Sequence, residues 1–215
     1  MATVELGGLI VMGMLCLLGL SIGFFIFKSE VENMVSHWKA IAEERGIAFH
    51  PISLFNIYRG NWGKLEGNID GFEFQSGMER KHTQFANRNL NYYTTFTIAL
   101  PNATDKRLIL KTKKGFLPNI LSPTTENSDA LEQRYKVQTN DGDFAITVLD
   151  DSMKTRILDT TSQLQGNWTI DNNVLSYEAK MKLETLQARE TWGRVIDTGI
   201  ALAKVVEAYC SDKKT

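Results

Sequence analysis

The first 27 residues contain no lysine, arginine or histidine, and Glu5 is their only charge. A secretory signal peptide opens on a basic stretch and ends at a small-x-small cleavage site. Here Met1-Ala2-Thr3-Val4-Glu5 precedes the apolar run, and Phe24-Phe25-Ile26-Phe27 closes it. Other scarcities are as informative. Only two cysteines occur, Cys16 inside the apolar run and Cys210 near the end of the sequence, so residues after the run form no internal disulfide. The three histidines, His37, His50 and His82, are far apart and form no ligand pair. Lysine and arginine (24) are balanced by aspartate and glutamate (25), which argues against a general nucleic-acid binder. There is no C-x-x-C, H-E-x-x-H, EF-hand loop, G-x-S-x-G elbow, P-loop or dinucleotide fingerprint. No cofactor or metal is expected, and no catalytic residue stands out.

What is present starts with Leu6 to Phe27, an uncharged run of the length needed to cross a bilayer, for which roughly 20 apolar residues suffice. It has no polar face, unlike most core helices. An uncleaved membrane anchor is the leading expectation; a cleaved signal and a buried helix are the alternatives. Lys28, Lys39 and Arg45 flank its C-terminal side and nothing basic flanks the other, so the rule of cytoplasmic positive charge places the N-terminus outside and the body of the chain in the cytoplasm. Gly19 and Gly23 form a G-x-x-x-G, with Cys16 one turn earlier. This is a spacing at which a second membrane helix, from another copy or another protein, can approach closely.

No glycine or proline interrupts Phe24 to Arg45. Val31, Met34, Val35, Trp38, Ile41 and Ala42 share one helical face, and Gly46 is a suitable stop. The anchor is therefore expected to continue into a juxtamembrane helix as one rod. From Ile47 the hydrophobic period becomes two. Trp62 to Ile69 and Phe72 to Met78 flank an Asp70-Gly71 turn, and Tyr92 to Leu100 and Leu108 to Leu110 follow as strands. Tyr135 and Val137 are expected to pair with Phe144, Ile146 and Val148 across Asn140-Asp141-Gly142. Asp150 or Asp151 caps a helix; Trp168 to Tyr177 forms a hairpin around Asp171-Asn172-Asn173. A closing helix runs from Met181 to Tyr209 with Leu183, Leu186, Val195, Ile196, Ile200, Ala203 and Val206 inward. The expected fold class is α+β, an antiparallel sheet with helices packed on one face. The expected division is an anchor over 1–27, a juxtamembrane helix over 28–46 and a soluble domain over 47–215.

The order of these features (the anchor, the helix containing His37-Trp38-Lys39-Ala40-Ile41-Ala42, the hairpin bearing Gly60, Gly63, Gly67 and Gly71, and the Tyr135–Leu149 segment leading into a short helix) resembles families of uncharacterised bacterial proteins with one N-terminal membrane helix and an α+β soluble domain. The resemblance implies a layout and no activity.

Two surface features remain. Lys106, Arg107, Lys111, Lys113 and Lys114 form a basic cluster suited to lipid headgroups or a partner. Phe116, Leu117, Ile120 and Leu121 lie in a proline-containing loop and require cover from the domain, a partner or the membrane. The leading functional expectation is a single-pass, non-catalytic binding or assembly module at the cytoplasmic membrane face, engaging a membrane protein or its own copies. The alternatives are a peripheral lipid-headgroup reader and an enzyme acting on a membrane-associated substrate.

Overall fold

A computed structural model describes residues 2–51, 63–81, 91–103, 105–113, 130–162 and 164–213. The first element, α1, is a single helix over Ala2–Arg45. It ends because the chain turns left-handed at Gly46 (φ +63°), where the amides of Gly46 and Ile47 return to the carbonyls of Glu43 and Ala42 at 3.3 and 3.0 Å. That pair of bonds satisfies two carbonyls the helix end would otherwise leave open, and glycine adopts the required backbone without a Cβ penalty.

Among the described residues eight strands follow: β1 (Ala48–His50), β2 (Lys64–Ile69), β3 (Phe72–Lys81), β4 (Asn91–Ala99), β5 (Leu108–Thr112), β6 (Tyr135–Thr139), β7 (Gly166–Asp171) and β8 (Val174–Lys180). They form one sheet in the order β1-β2-β3-β4-β8-β7-β5-β6, every neighbouring pair antiparallel. Among the described residues four further helices are interspersed: α2 (Ala130–Arg134), α3 (Gly142–Val148), α4 (Asp151–Thr161) and α5 (Leu186–Asp212). The fold is α+β, as the pattern of periods indicates. The two tight hairpins fall where Asp70-Gly71 and Asn172-Asn173 stand, with Asp70, Asn172 and Asn173 all at positive φ. Turns of that hand match the twist of paired strands.

Register explains the core. Leu65, Ser76, Phe96, Tyr177, Trp168, Leu110 and Val137 lie side by side across seven strands, all on the covered face. Their neighbours by one residue, Glu66, Gln75, Thr97, Ser176, Thr169, Ile109 and Gln138, form the opposite face, which is polar except at Ile109. A sheet with one wet face has this alternation. On the covered face Phe96 is ringed by Phe74, Trp168, Tyr177 and Trp192, with centroid separations of 5.8 to 6.1 Å. Trp192, on α5, donates from Nε1 to Ser76 Oγ at 3.3 Å, and Ser76 donates on to the Thr95 carbonyl at 2.7 Å. The α1 stripe of Val31, Met34, Trp38, Ile41 and Ala42 is buried in the same core, with Val35 partly so.

Two expectations are corrected. Phe144, Ile146 and Val148 do not pair with β6; they lie on the helix α3, and β6 pairs with β5 instead. Asp141 caps that helix, accepting from the Phe144 amide at 3.0 Å. Seven residues with apolar positions two apart fit either period, and the cap together with burial of Phe144 against Tyr209 decides for helix. Ile146 then points away from the core and is 75% exposed. The closing helix begins at Leu186 rather than Met181, because Thr185 caps it by accepting from the Ala188 amide. Leu183 is buried ahead of the helix, whereas Leu186 is 52% exposed.

Gly199 of α5 lies directly over Phe96; a Cβ there would stand 2.4 Å from Phe96 Cζ. Phe96 is hemmed in by four other rings and has nowhere to go. Gly199→Val is expected to lower stability by about 1–3 kcal/mol through overpacking. That corresponds to roughly 2–4 °C of Tm for each kcal/mol in a chain of this size, read by thermal unfolding of the detergent-solubilised protein.

Candidate functional site

The clearest departure from an ordinary folded surface is α1 itself. Met12, Met14, Leu15, Leu17, Leu18, Leu20, Ile22, Phe24, Phe25 and Ile26 are all more than half exposed. Water does not tolerate a contiguous apolar surface of that kind on a stable monomer. The span is long and apolar enough to cross a membrane, and its most apolar window is only 6% buried, unlike a core helix. Cys16, Gly19 and Gly23 lie on this exposed part, and a Cβ built at either glycine meets nothing within 4 Å. Within the span Ser21 Oγ donates to the Leu17 carbonyl at 2.8 Å, which satisfies a hydroxyl internally. Burial starts abruptly: Phe27 is partly covered by the core and Val31 is 4% exposed.

The basic cluster is divided by the fold. Lys106 and Arg107 precede β5, and Lys111 and Lys113 lie at its other end, roughly 13–23 Å away along a chain rising about 3.3 Å per residue. Lys106 is held by Asp105 and Asp141 at 3.0 and 2.9 Å, and Arg107 lies 3.7 Å from Asp171. Lys111 and Lys113 are exposed. Lys114, Phe116, Leu117, Ile120 and Leu121 lie outside the described residues, as do His82 and Gly60.

Several grooves among the described residues offer room for a ligand. One, of about 470 Å³, is lined by Glu44, Arg45, Arg189, Glu190, Gly193 and their neighbours. Four of its charges fasten α1 to α5: Arg45 donates to the Gly193 carbonyl and to Asp197 Oδ1, both at 2.9 Å, and Arg189 lies 3.8 Å from Glu44. A second, of about 250 Å³, lies on the open sheet face over Gln75, Gly77, Thr95 and Thr97. A third, of about 360 Å³, lies between the apolar Val137, Ala145, Ile146 and Leu149 and the charged Glu132, Asp150, Asp151 and Lys154. None of these three gathers an acid, a base and a nucleophile among the described residues. Among the described residues no three of His, Cys, Asp or Glu are placed to hold a metal ion.

The buried polar groups serve packing. Arg134 is 4% exposed and donates to the carbonyls of Thr161 and Leu164, tying α2 to the end of α4. Tyr135 and Thr161 share a hydroxyl hydrogen bond at 2.9 Å. Burial pushes the Tyr135 phenol up, and the Tyr177 phenol, deeper still, is raised well above the ordinary tyrosine value by the same cause. Both stay neutral and neither is placed to accept a proton from a ligand. Sequence reading missed Arg134 entirely, since an arginine between Gln133 and Tyr135 carries no burial signal of its own. Comparison with known protein families, with curated proteins and with solved structures finds no match.

The Lys106 knot yields a pH test. Asp141 is held below the usual aspartate range by the Phe144 amide and then by Lys106, and Asp105 is held below it by Lys106. A depressed carboxyl pKa stabilises the fold above the unfolded value of 3.8 and stops doing so as pH falls through the lower folded value. The stability difference between the wild-type chain and Lys106→Met is therefore expected to be full at pH 6 and to close below about pH 4, followed by thermal melts across that range.

Proposed function

We propose that this chain is a single-pass, membrane-anchored binding or assembly module without catalytic activity, presenting its α+β domain at the cytoplasmic membrane face. The observation that carries the proposal is the junction within α1. Ten large apolar side chains project into open space up to Ile26, and the same helix is core from Val31 onward. A helix is stiff over this length, and no residue between the two parts breaks it. A bilayer is the environment that satisfies the first part, and the second is then fixed at its surface. Orientation rests on Lys28, Lys39 and Arg45 beyond the C-terminal end of the apolar run and on the lack of basic residues before it. Assembly rests on Gly19 and Gly23, whose open surroundings leave a second helix room to pack against Cys16 and the two glycines.

Two experiments test this. Purified in gentle detergent, the chain is expected in a stoichiometric complex with itself or with one other membrane protein, and Gly19→Ile with Gly23→Ile is expected to dissolve it. A monodisperse monomer that the substitutions leave unchanged contradicts an assembly role for the anchor. For topology, Cys210 is 5% exposed, so its own labelling would report burial instead of side. Ser211 is exposed. In a Cys210→Ser background, Ser211→Cys is expected to escape an impermeant maleimide in intact cells and to react after permeabilisation; labelling of intact cells would reverse the orientation.

A further inference from the structure

α1 and α5 run in the same direction. Asn33 Nδ2 donates to the Glu184 carbonyl at 2.8 Å just ahead of α5, and Arg45 reaches Gly193 and Asp197 farther along it. The part of the domain nearest the apolar run is therefore the part around residues 180–186. Asn33 is six residues past Phe27, about 9 Å along the helix axis. Strand registers bring other ends to the same level. Lys180 is opposite Tyr93, and Gly166 is opposite Ala179. Thr112 bonds Asn167 and Gly166 through its amide and hydroxyl and is opposite Tyr135. Lys111, Lys113, Lys136 and Lys180 therefore cluster at the end of the sheet facing the anchor.

These four lysines are exposed, and among the described residues none has a carboxylate within salt-bridge distance. Lys111 and Lys136 are direct cross-strand partners on the open face, an arrangement that places like charges about 5 Å apart at Cβ and costs stability. Glu178 shares that face, two residues from Lys180. The opposite end of the sheet is built differently. There Lys106 is matched by Asp105 and Asp141, Arg107 by Asp171, and Lys204 by Asp70. At the end toward the anchor Lys64 and Lys182 are likewise paired, with Glu66 and Glu184, and among the described residues the four lysines are the cations there that the fold does not neutralise.

We propose that the sheet end formed by Lys111, Lys113, Lys136 and Lys180 docks onto anionic phospholipid headgroups of the bilayer that holds α1. The dimensions agree: headgroup layers add roughly 5–8 Å to each side of the hydrocarbon core, and lysine side chains extend across the remaining gap. Anionic lipid relieves the Lys111–Lys136 repulsion that the fold leaves standing. α1 touches the sheet at β1 and β2, whereas β5 and β6 form the far edge. Docking adds a second point of support there and fixes the tilt of the sheet over the membrane. The inference rests on the anchoring reading above.

The test uses the full chain, with Cys16→Ser and Cys210→Ser, reconstituted in vesicles carrying a small fraction of nitroxide-headgroup lipid. A fluorophore is placed at Lys113→Cys or, at the opposite end, at Ser211→Cys. In phosphatidylcholine with 30% phosphatidylserine, quenching at position 113 is expected to exceed that at 211 several-fold. It is expected to fall in pure phosphatidylcholine and in 0.5 M salt. Neutralising Lys111, Lys136 and Lys180 to Gln should reduce the docked-to-undocked ratio by about fivefold for each lysine, while the corresponding Arg variants retain it. The melting temperature of the Gln variant, unchanged or raised by loss of the Lys111–Lys136 repulsion, separates lost docking from misfolding. Quenching at 113 that is indifferent to phosphatidylserine, or to the three Gln substitutions, overturns docking while the chain still floats with the vesicles. A chain that alkaline carbonate strips from the vesicles overturns the anchoring reading and the docking with it.

Discussion

Everything in this molecule hangs on one helix that must satisfy two environments. Over its first part α1 presents large apolar side chains in every direction; over its second it turns a narrow stripe, Val31 to Ala42, into a protein core. A uniformly apolar surface is stable only where no water is present, and a one-sided stripe only where a partner covers it. Because the backbone runs through both parts without a break, the two requirements fix each other's position. The Schellman turn at Gly46 then ends the rod, and Ile47 to His50 turns back to join the edge of the sheet.

The sheet follows from the same economy of faces. Its covered side gathers Phe74, Phe96, Trp168, Tyr177 and Trp192 into one aromatic cluster, and α5 crosses it closely enough to need Gly199 against Phe96. Its other side remains largely polar. Antiparallel pairing also sorts the strand ends into two groups. Turns rich in Asp and Asn, with the cations that pair with them, lie at one end, and Lys111, Lys113, Lys136 and Lys180 at the other, on the side of the anchor. A five-residue strand is enough to put Arg107 and Lys113 at opposite poles of the domain.

Much of this was legible in the sequence. Long periodic segments, the Asp-Gly and Asn-Asn turns and the Gly46 stop each carry a local physical cause, and each is found where that cause predicts. The failures share a different property: they depend on partners distant in the chain. Phe144, Ile146 and Val148 alternate as a strand would, and only the Asp141 cap and the Tyr209 ring decide for a helix. That misreading hid a second fact. With β6 paired to the wrong segment, Lys136 could not be seen opposite Lys111. The basic cluster read as one surface because its members are close in sequence, whereas a strand lies between them. Leu186 fits the apolar period of α5 but stands at its first turn, beyond the reach of the core.

The central claim is that α1 passes from bilayer to domain as one unbroken helix, and hydrogen exchange of the backbone amides from Ile22 to Met34 tests it most directly. With the full chain in a lipid nanodisc, the expected result is slow exchange throughout, with no fast-exchanging gap between Phe27 and Val31. Rapid exchange confined to that junction would mean a hinge between anchor and domain, and would contradict the account.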